Sequence, residues 1–328
     1  METLTSPRQA RATGSRRVIL HADETWHASI EAKEHSIFDL IEKALASKSL
    51  PLQLVRLDSR IAETVLEDPD AAHIMMGAEA RFGPRILHLS RAPIWGFWHL
   101  DELGSGWQSS MRLGDFNPST IDDERATYFF NGVTGYMLRE NVSLVAQEER
   151  MHGSLQGAKA TVFCQAATDW DVQSHYLSTE DMIRVTAEFD KQALVYVKIA
   201  PDAGKEERRR IMGITQDYQN VRLSEASVHD LVEASDLVVT QNGAPGFEAL
   251  MQKCPVVTCA KSSYWHASLT AKTPADLREA LEYGTLAMLD FPYEKHFYWT
   301  LVRHGLEPAK DVFAKRFLAR FYDKVMWR

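Results

Sequence analysis

The sequence has few cysteines: Cys164, Cys254 and Cys259 are the three in 328 residues, and no CxxC pair occurs. This excludes a small scaffold held by disulfides, and it makes buried, reduced thiols of a cytoplasmic protein the expected state. Long apolar runs are also missing. None approaches the about 20 residues that a membrane-spanning helix needs. We therefore expect a globular protein without a membrane-spanning segment.

An excess of positive charge is missing as well. Acidic residues outnumber Lys and Arg by 45 to 37, and the formal net charge is −8. A general nucleic-acid binder normally has a basic surface, so nucleic acid is not an expected partner. Residues 1–17 contain four arginines but no apolar segment like that of a secretory signal. We expect these residues to form a disordered leader.

Strand-like apolar runs alternate with helix-like segments in both halves of the chain. Arg17–Ala22 is the first run that suits a fully buried strand, and Thr161–Ala166 opens a second series. This alternation predicts an α/β protein with two Rossmann-like domains and parallel sheets. We place an N-terminal domain at 18–150, a C-terminal domain at 155–292 and C-terminal helices at 293–328.

One stretch of the second half has the clearest functional pattern. Leu237–Thr240 is an apolar, β-branched run that ends at a turn containing Gly243 and Gly246, and a helix follows. The start of that helix would offer unpaired N–H groups and partial positive charge to a phosphate. Glu248 on the first turn could reach a ribose hydroxyl. The alternative is a plain strand-to-helix connection, which any α/β domain contains.

This stretch resembles the capsule polysaccharide biosynthesis family of bacterial glycosyltransferases, which includes Kdo transferases. The residues that match the family pattern are Asp236, Asn242, Gly246, Phe247, Glu248, Ala249, Leu250, Pro255, Val256, Tyr264, Leu269 and Thr270. Gly243 stands where the family usually has Ser. The resemblance covers Thr161 to about residue 290 and is weak in the first half.

The resemblance implies the two-domain GT-B architecture, with donor bound by the second domain and acceptor by the first. It implies transfer of a sugar from a nucleotide-sugar donor, CMP-Kdo being one candidate, to a surface or capsular polysaccharide or its lipid-linked acceptor. No cofactor and no metal are expected. The donor-binding residues that we assign are Gln165, Asp169, Lys198, Ser224, Asn242, Gly243, Gly246 and Glu248.

The first half has an aromatic-rich run between Trp95 and Trp107 that contains several charged residues. Sugars are held by flat aromatic faces together with groups that bind hydroxyls. We assign Trp98 and His99 to acceptor binding, and Asp101 and Glu24 to acid/base catalysis. The alternative for this run is a hydrophobic plug with an Asp that caps a helix.

The chain departs from the family pattern at one position. Family members have His-Pro after a Lys, and this chain has Lys198-Ile199-Ala200-Pro201. The methyl group of Ala200 cannot donate a proton, and loss of such a group costs about 10²-fold in rate or more. A non-catalytic relative that binds a nucleotide sugar is therefore one alternative. A nucleotide-sugar epimerase on the same scaffold is another, which product analysis would separate because an epimerase needs no acceptor.

The tail has a basic, amphipathic helical pattern. Phe313, Phe317 and Phe321 form an apolar stripe with Lys and Arg residues around it. Such a helix can bind an anionic membrane, so peripheral contact with the inner membrane is one interpretation. The alternative is a C-terminal helix that crosses back and packs on the protein, which the spacing favours.

Overall fold

The structure is a computed structural model that describes residues 1–11, 14–77, 79–166 and 168–327. The chain divides into two compact units. Unit 1 comprises Met1–Ala92, Gly96–Ser110 and His304–Arg328, and unit 2 comprises Pro93–Trp95 and Met111–Arg303. Both units combine a sheet with covering helices, which confirms the predicted α/β fold.

The regular elements follow in chain order. The strands are β1 (Glu2–Thr3), β2 (Arg17–Ala22), β3 (Leu52–Arg56), β4 (Ala71–Met76), β5 (Ile86–Arg91), β6 (Trp98–Asp101), β7 (Ala158–Cys164), β8 (Val195–Ile199), β9 (Val221–Leu223), β10 (Ser235–Thr240), β11 (Val256–Thr258), β12 (Leu269–Thr270) and β13 (Gly305–Leu306). The helices are α1 (Pro7–Ala10), α2 (Glu24–Glu31), α3 (Ser36–Ala46), α4 (Arg60–Leu66), α5 (Asp123–Arg139), α6 (Asp169–Val172), α7 (Thr179–Phe189), α8 (Lys205–Gln216), α9 (Val228–Glu233), α10 (Ala244–Ala249), α11 (Pro274–Ala287), α12 (Tyr293–Phe297) and α13 (Phe313–Lys324). A π-helical segment, Tyr298–Arg303, follows α12 directly.

The sheet of unit 1 has the strand order β1-β3-β2-β4-β5-β6-β13. Its first five strands pair in parallel, and β6 and β13 pair antiparallel at the edge. The parallel part agrees with the prediction, whereas the antiparallel edge was not predicted. β6 was missed because its four residues lie inside the aromatic-rich run, which has no clear period of two.

The core of unit 1 includes the C-terminal helix. Phe313, Phe317 and Phe321 are buried in the same cluster as the strands, and α13 packs against α3. Basic side chains of α13 also bond to other groups of unit 1. Arg316 donates to the Gly305 carbonyl and Lys324 pairs with Glu102. The crossing-back helix is confirmed, and the apolar stripe that a membrane would need is not available because unit 1 buries it.

The N-terminal segment belongs to unit 1. β1 adds a parallel edge strand to β3, with Thr3 opposite Leu54. Leu4 and Ala10 are buried against α4. The Arg17 guanidinium donates to the carbonyls of Ala10 at 3.0 Å and Arg11 at 3.1 Å. The prediction of a disordered leader is therefore wrong for residues 1–11, because edge pairing and one buried arginine hold them.

The sheet of unit 2 has the order β12-β11-β10-β7-β8-β9, and all its strands are parallel. The chain moves outward from β7 through β8 to β9, and then starts again on the other side of β7 with β10. This reversal makes a topological switch point between β7 and β10, at whose carboxyl edge open α/β sheets bind ligands. α7, α8 and α11 cover one face of the sheet.

Unit 2 starts earlier in the chain than the predicted C-terminal domain. α5 lies in unit 2, not in a domain that ends at residue 150. The Phe130 ring of α5 packs edge-on against Phe297 of α12 at 5.0 Å, and Ala126 is buried with Trp299. These aromatic contacts join segments more than 150 residues apart, so neither local pattern nor composition could place the boundary.

Candidate functional site

The switch point of unit 2 brings together two segments that the sequence analysis had singled out. Gln165 follows β7, and the turn 242–246 follows β10. The backbone N–H of Asn242 points to the Gln165 Oε1 at 3.5 Å. Gln165 and residues 242–245 are half-buried, so this edge is accessible. The structure therefore places the Gln165 side chain beside Asn242 and Gly243.

The turn itself is held by a buried tyrosine. Tyr264 Oη donates to the Gly243 carbonyl at 2.8 Å, and the Tyr264 ring packs edge-on against Phe247. A Cβ at Gly246 would lie 2.5 Å from Tyr264 Oη and 2.8 Å from Thr240 Cγ2. Only glycine fits at position 246 without a shift of its neighbours. Gly246 thus has a packing role, and it is buried.

Asn242 has structural partners on its amide nitrogen. Its Nδ2 donates to Ser174 Oγ at 3.0 Å and to the Lys261 carbonyl at 2.8 Å. These bonds fix the start of the turn to the loops that follow α6 and β11. The Asn242 side chain therefore holds the turn in shape.

Lys198, near the end of β8, and Ser224, directly after β9, lie together at the neighbouring edge. Lys198 Nζ donates to the carbonyls of Glu225 at 3.1 Å and Ala226 at 2.6 Å. Ser224 Oγ accepts from the Ala226 N–H at 3.2 Å. Burial lowers the pKa of Lys198, an effect that Glu225 and Glu148 oppose. Both side chains shape the loop before α9.

Glu248 is buried, with only 1% of its surface exposed. Ser143 Oγ donates to both carboxylate oxygens at 2.9 Å, and the Leu144 N–H donates to Oε1 at 3.2 Å. Burial raises the pKa of Glu248 to about 7, although the Ser143 and Leu144 bonds act in the opposite direction. The predicted ribose ligand is thus engaged by another part of unit 2.

That part is a non-helical segment, residues 141–153, which we call the strap. Besides its bonds to Glu248, it is fastened to α9 at several points. Asn141 Oδ1 accepts from Ser227 Oγ at 2.6 Å, and Gln147 Oε1 accepts from the Val228 N–H at 2.9 Å. Arg150 pairs with Asp230 at 2.7 Å. The strap therefore covers the polar groups of both α9 and α10.

Two further positions complete the donor-side predictions. Asp169 is the first residue of α6, and its side chain lies outside what the structure describes. Ala200 stands at the end of β8, where its carbonyl accepts from Arg208 Nη2 at 2.9 Å. A cation therefore lies beside the position at which the family pattern has His.

The acceptor-binding assignment of Trp98 is contradicted by the structure. Its ring belongs to the core of unit 1, where its centroid lies 5.6 Å from that of Trp26 and 5.9 Å from that of Phe38. Trp98 is only 6% exposed. Alternation along β6 directs the next side chain, His99, to the opposite face of the sheet, where it too is buried. Neither ring offers a face to a sugar in this structure.

Asp101 and Glu24, the predicted catalytic carboxylates, have very different surroundings. Asp101 is 4% exposed and accepts from the N–H groups of Leu103, Gly104 and Ser110 and from the Ser110 hydroxyl. It organises the loop 101–110. Glu24 is an exposed side chain on the first turn of α2 and pairs with Arg56 at 3.1 Å. Of the two, only Glu24 is open to solvent.

The structure also shows a buried polar row that the sequence analysis missed. His21, His73 and His88 lie on one face of the unit 1 sheet, and His21 Nε2 is 3.0 Å from His73 Nδ1. Burial lowers the pKa of His73 to about 4, and it also lowers the pKa of His21 well below its usual value. The sequence does not show that these three histidines lie on neighbouring strands, because this depends on the strand order of the sheet.

Within the described ranges, no group of three His, Cys, Asp or Glu side chains is arranged to hold a metal ion. Among the helices of the same ranges, none combines the length and the apolar character that crossing a bilayer requires.

Comparisons with known proteins agree with this architecture. The family model for "Capsule polysaccharide biosynthesis protein" matches residues 132–304, just over half of the chain. A comparison with curated proteins finds no match. A solved structure of the Thermosulfurimonas dismutans KpsC beta-Kdo 2,7 transferase is 13% identical, with 80% of this chain and 89% of that chain covered and a TM-score of 0.50. The beta-Kdo 2,4 transferase of the same KpsC is 12% identical, with 82% and 91% covered and a TM-score of 0.48. The first of these similarities shows a shared fold.

Proposed function

Because the chain belongs to the capsule polysaccharide biosynthesis protein family, we propose that it is a glycosyltransferase. It moves a sugar from a nucleotide-sugar donor to a surface polysaccharide or a lipid-linked saccharide. CMP-Kdo is the first donor to test, because the T. dismutans KpsC structure that shares the fold is that of a Kdo transferase. The observation that carries the proposal is the meeting of Gln165 with the 242–246 turn at the switch point of unit 2.

In this proposal the donor phosphate lies against the turn. Gly243 has no side chain to cover its backbone, and the amide of Gln165 stands beside it. Asn242, Gly246 and Tyr264 keep the turn in shape. The N–H groups of Gly243 and Ala244 would meet the phosphate, because Pro245 has no N–H and the Gly246 N–H donates to the Gly243 carbonyl. Lys198 and Ser224 hold the loop before α9 at the next edge, where the nucleoside would extend, and Asp169 at the start of α6 stays a donor-side candidate.

The role proposed for Glu248 requires a movement. Its carboxylate now accepts bonds from Ser143 and Leu144 of the strap. A donor ribose could use Glu248 only by taking the place of these two donors. Donor binding would therefore release the middle of the strap from α10, while Arg150 and Asp230 keep its far end on α9.

On the acceptor side, the proposal gives the base to Glu24, since an inverting transfer needs a carboxylate that can reach the acceptor hydroxyl. Asp101 would act by shaping the 101–110 loop. Family membership does not decide between catalysis and binding alone, and the methyl group of Ala200 favours the second candidate function, a relative that binds a nucleotide sugar without transferring it.

The experiment is a calorimetric titration of the purified protein with CMP, UDP, GDP and dTDP and with their common sugar conjugates. The test variant is Gln165→Glu, which places a negative charge beside Gly243 without changing side-chain size. Repulsion of a phosphate should weaken binding of the preferred nucleotide at least tenfold, about 1.4 kcal/mol. The matched control is Gln156→Glu, the same change on an exposed residue just before β7, at the opposite edge of the same sheet.

Selective binding that is lost in Gln165→Glu and kept in Gln156→Glu supports a donor site at the turn. If no nucleotide binds, or if both variants bind like the wild type, the site is rejected. With a donor in hand, incubation with and without a saccharide acceptor then separates transfer from binding alone. Donor binding without any product in either incubation would favour the non-catalytic candidate.

A further inference from the structure

Two aromatic side chains of unit 2 form an exposed pair that no part of the proposed donor site uses. The Trp95 and Tyr136 rings have centroids 6.3 Å apart and planes inclined by 34°. Trp95 is 47% exposed and Tyr136 is 43% exposed. Adjacent, half-exposed aromatic faces cost hydrophobic free energy in water unless a partner covers them. Rings of this kind suit the apolar face of a pyranose.

The pair continues along one face of α5. At about 100° per residue, Arg125, Tyr128, Tyr136 and Arg139 fall within one stripe of the helix, and all four are exposed. Tyr128 is 85% exposed. The stripe spans about 21 Å from Arg125 to Arg139, at about 1.5 Å per residue.

The charge of this stripe is of one sign. Both of its ends are guanidinium groups, and the neighbouring acidic residues, Glu124 and Glu140, lie to the sides of the stripe. Arg125 forms no ion pair with any residue in the described ranges, and Arg139 pairs only with the adjacent Glu140 there. Cations that flank aromatic rings complement a chain of sugars that bear carboxylates.

Between the tyrosines the helix surface is bare. Gly132 and Gly135 lie there, and a Cβ on either would meet no atom within 4 Å. Each glycine costs about 1 kcal/mol of helix stability relative to Ala. Since no packing in the described chain requires them, their effect is to leave room for something that approaches the helix backbone between the rings.

We propose that Trp95 and the α5 stripe form a binding surface for an acidic oligosaccharide, whose sugar rings stack on Trp95, Tyr136 and Tyr128 and whose carboxylates pair with Arg125 and Arg139. The proposal deepens the proposed function, because a capsule glycosyltransferase must hold a saccharide acceptor. It also supplies exposed aromatic faces, which Trp98 and His99 do not provide.

The test measures binding of three hexamers by calorimetry: α2,8-linked hexasialic acid, hexagalacturonic acid and neutral maltohexaose. At least one acidic hexamer should bind, at least tenfold more tightly than maltohexaose at low salt. Trp95→Ala and Tyr136→Ala should each weaken that binding about tenfold, within the about 1–3 kcal/mol found for stacking on one aromatic side chain. Binding of none of the hexamers, or equal binding of the neutral one, overturns the proposal.

A glycine variant separates binding from folding. Gly132→Gln should raise the melting temperature, because Gln favours helix and the site is open, and it should weaken binding at least fivefold by covering the rings. Gly213→Gln is the matched control, since Gly213 is an exposed glycine inside α8 whose Cβ would also meet nothing within 4 Å. It should stabilise the protein equally and leave binding unchanged. Equal binding by the two glycine variants overturns the proposal.

The same preparations distinguish this proposal from the donor site. Nucleotide affinity should be unchanged in all the stripe variants. If the wild-type protein binds a hexamer but no nucleotide, the donor site alone is rejected. A single-stranded dT hexamer is the remaining probe. Tighter binding of this oligonucleotide than of either acidic saccharide would overturn the saccharide assignment in favour of nucleic acid.

Discussion

The sheets of the two units both have a point where the strand order reverses, but different groups lie at that point in each unit. Each sheet reverses direction at a switch point, between β2 and β4 in unit 1 and between β7 and β10 in unit 2. In unit 1 the Asp23 N–H donates to the Met76 carbonyl at 3.2 Å, so a backbone hydrogen bond extends the pairing of β2 and β4 at the switch point. In unit 2 a glutamine side chain and a glycine-containing turn stand there instead. The topology provides a crevice, and local residues decide whether it becomes a candidate site.

Both units bury histidines, and unit 2 also buries a carboxylate. His21, His73 and His88 lie on one sheet face of unit 1, whereas unit 2 buries His229, His296 and, beneath the strap, the Glu248 carboxylate. Burial disfavours the charged form of both kinds of group, which lowers the pKa of a His and raises that of a Glu. The two units therefore contain groups whose contributions to stability change in opposite directions with pH.

The largest effect is expected from Phe317→Ala, which tests whether the tail belongs to unit 1 alone. Phe317 is fully buried among β-strand residues and α3, and loss of a buried Phe costs about 3–5 kcal/mol. Hydrogen exchange should accelerate in β2–β5 and stay unchanged in β7–β11. Val312→Ala, at an exposed residue before the same helix, is the control with little effect. Equal acceleration in both sheets would show that the units unfold together.

The next effect is the pH dependence that Glu248 gives to the stability of unit 2. Since the pKa of Glu248 is raised from 4.5 to about 7, the folded state keeps a proton that the unfolded state loses over this range. Stability from this group is present below pH 4.5 and decreases as pH rises to 7, by up to about 3 kcal/mol. Urea titrations of the wild type and Glu248→Gln should give a free-energy difference that falls over this window. A constant difference would contradict the buried, uncharged state of Glu248.

His73→Asn should give the opposite slope. The pKa of His73 is lowered from 6.5 to about 4, mainly by burial and then by Arg85. Below pH 6.5 the unfolded state binds a proton that the folded state does not, so wild-type stability is lost as pH falls to 4, by up to about 3 kcal/mol. Asn keeps a polar atom near His21 and cannot titrate in this range. The wild-type advantage over His73→Asn, measured by urea unfolding, should therefore shrink between pH 6.5 and 4, and a flat profile would be inconsistent with a buried neutral His73.

Much of the strand pattern was predictable from the sequence because most of the sheet residues are buried on both faces. Arg17–Ala22 was predicted with the bounds that the structure has, and the predicted run Leu237–Thr240 ends where β10 ends. The glycine turn was predicted from Gly and Pro. These are local signals, which depend on side-chain size, branching and backbone freedom within a few residues.

The environment of each site residue was much less predictable. The sequence places Trp98 in an aromatic run, and only strand alternation against α3 decides that its ring is in the core. Nothing near Glu248 in the chain indicates that Ser143, more than 100 residues earlier, bonds to its carboxylate. Such contacts depend on which distant segments the sheet order brings together, and no local pattern records them.

By itself, the sequence determined the α/β class, the buried strands, the glycine turn after β10 and the family resemblance, because each depends on neighbouring residues. Tertiary structure alone decided that the tail completes unit 1, that the strap covers Glu248 and that Trp95 meets Tyr136 on an exposed helix. Each of these depends on long-range packing, where burial of apolar surface and pairing of buried polar groups select one arrangement among many that the local pattern permits.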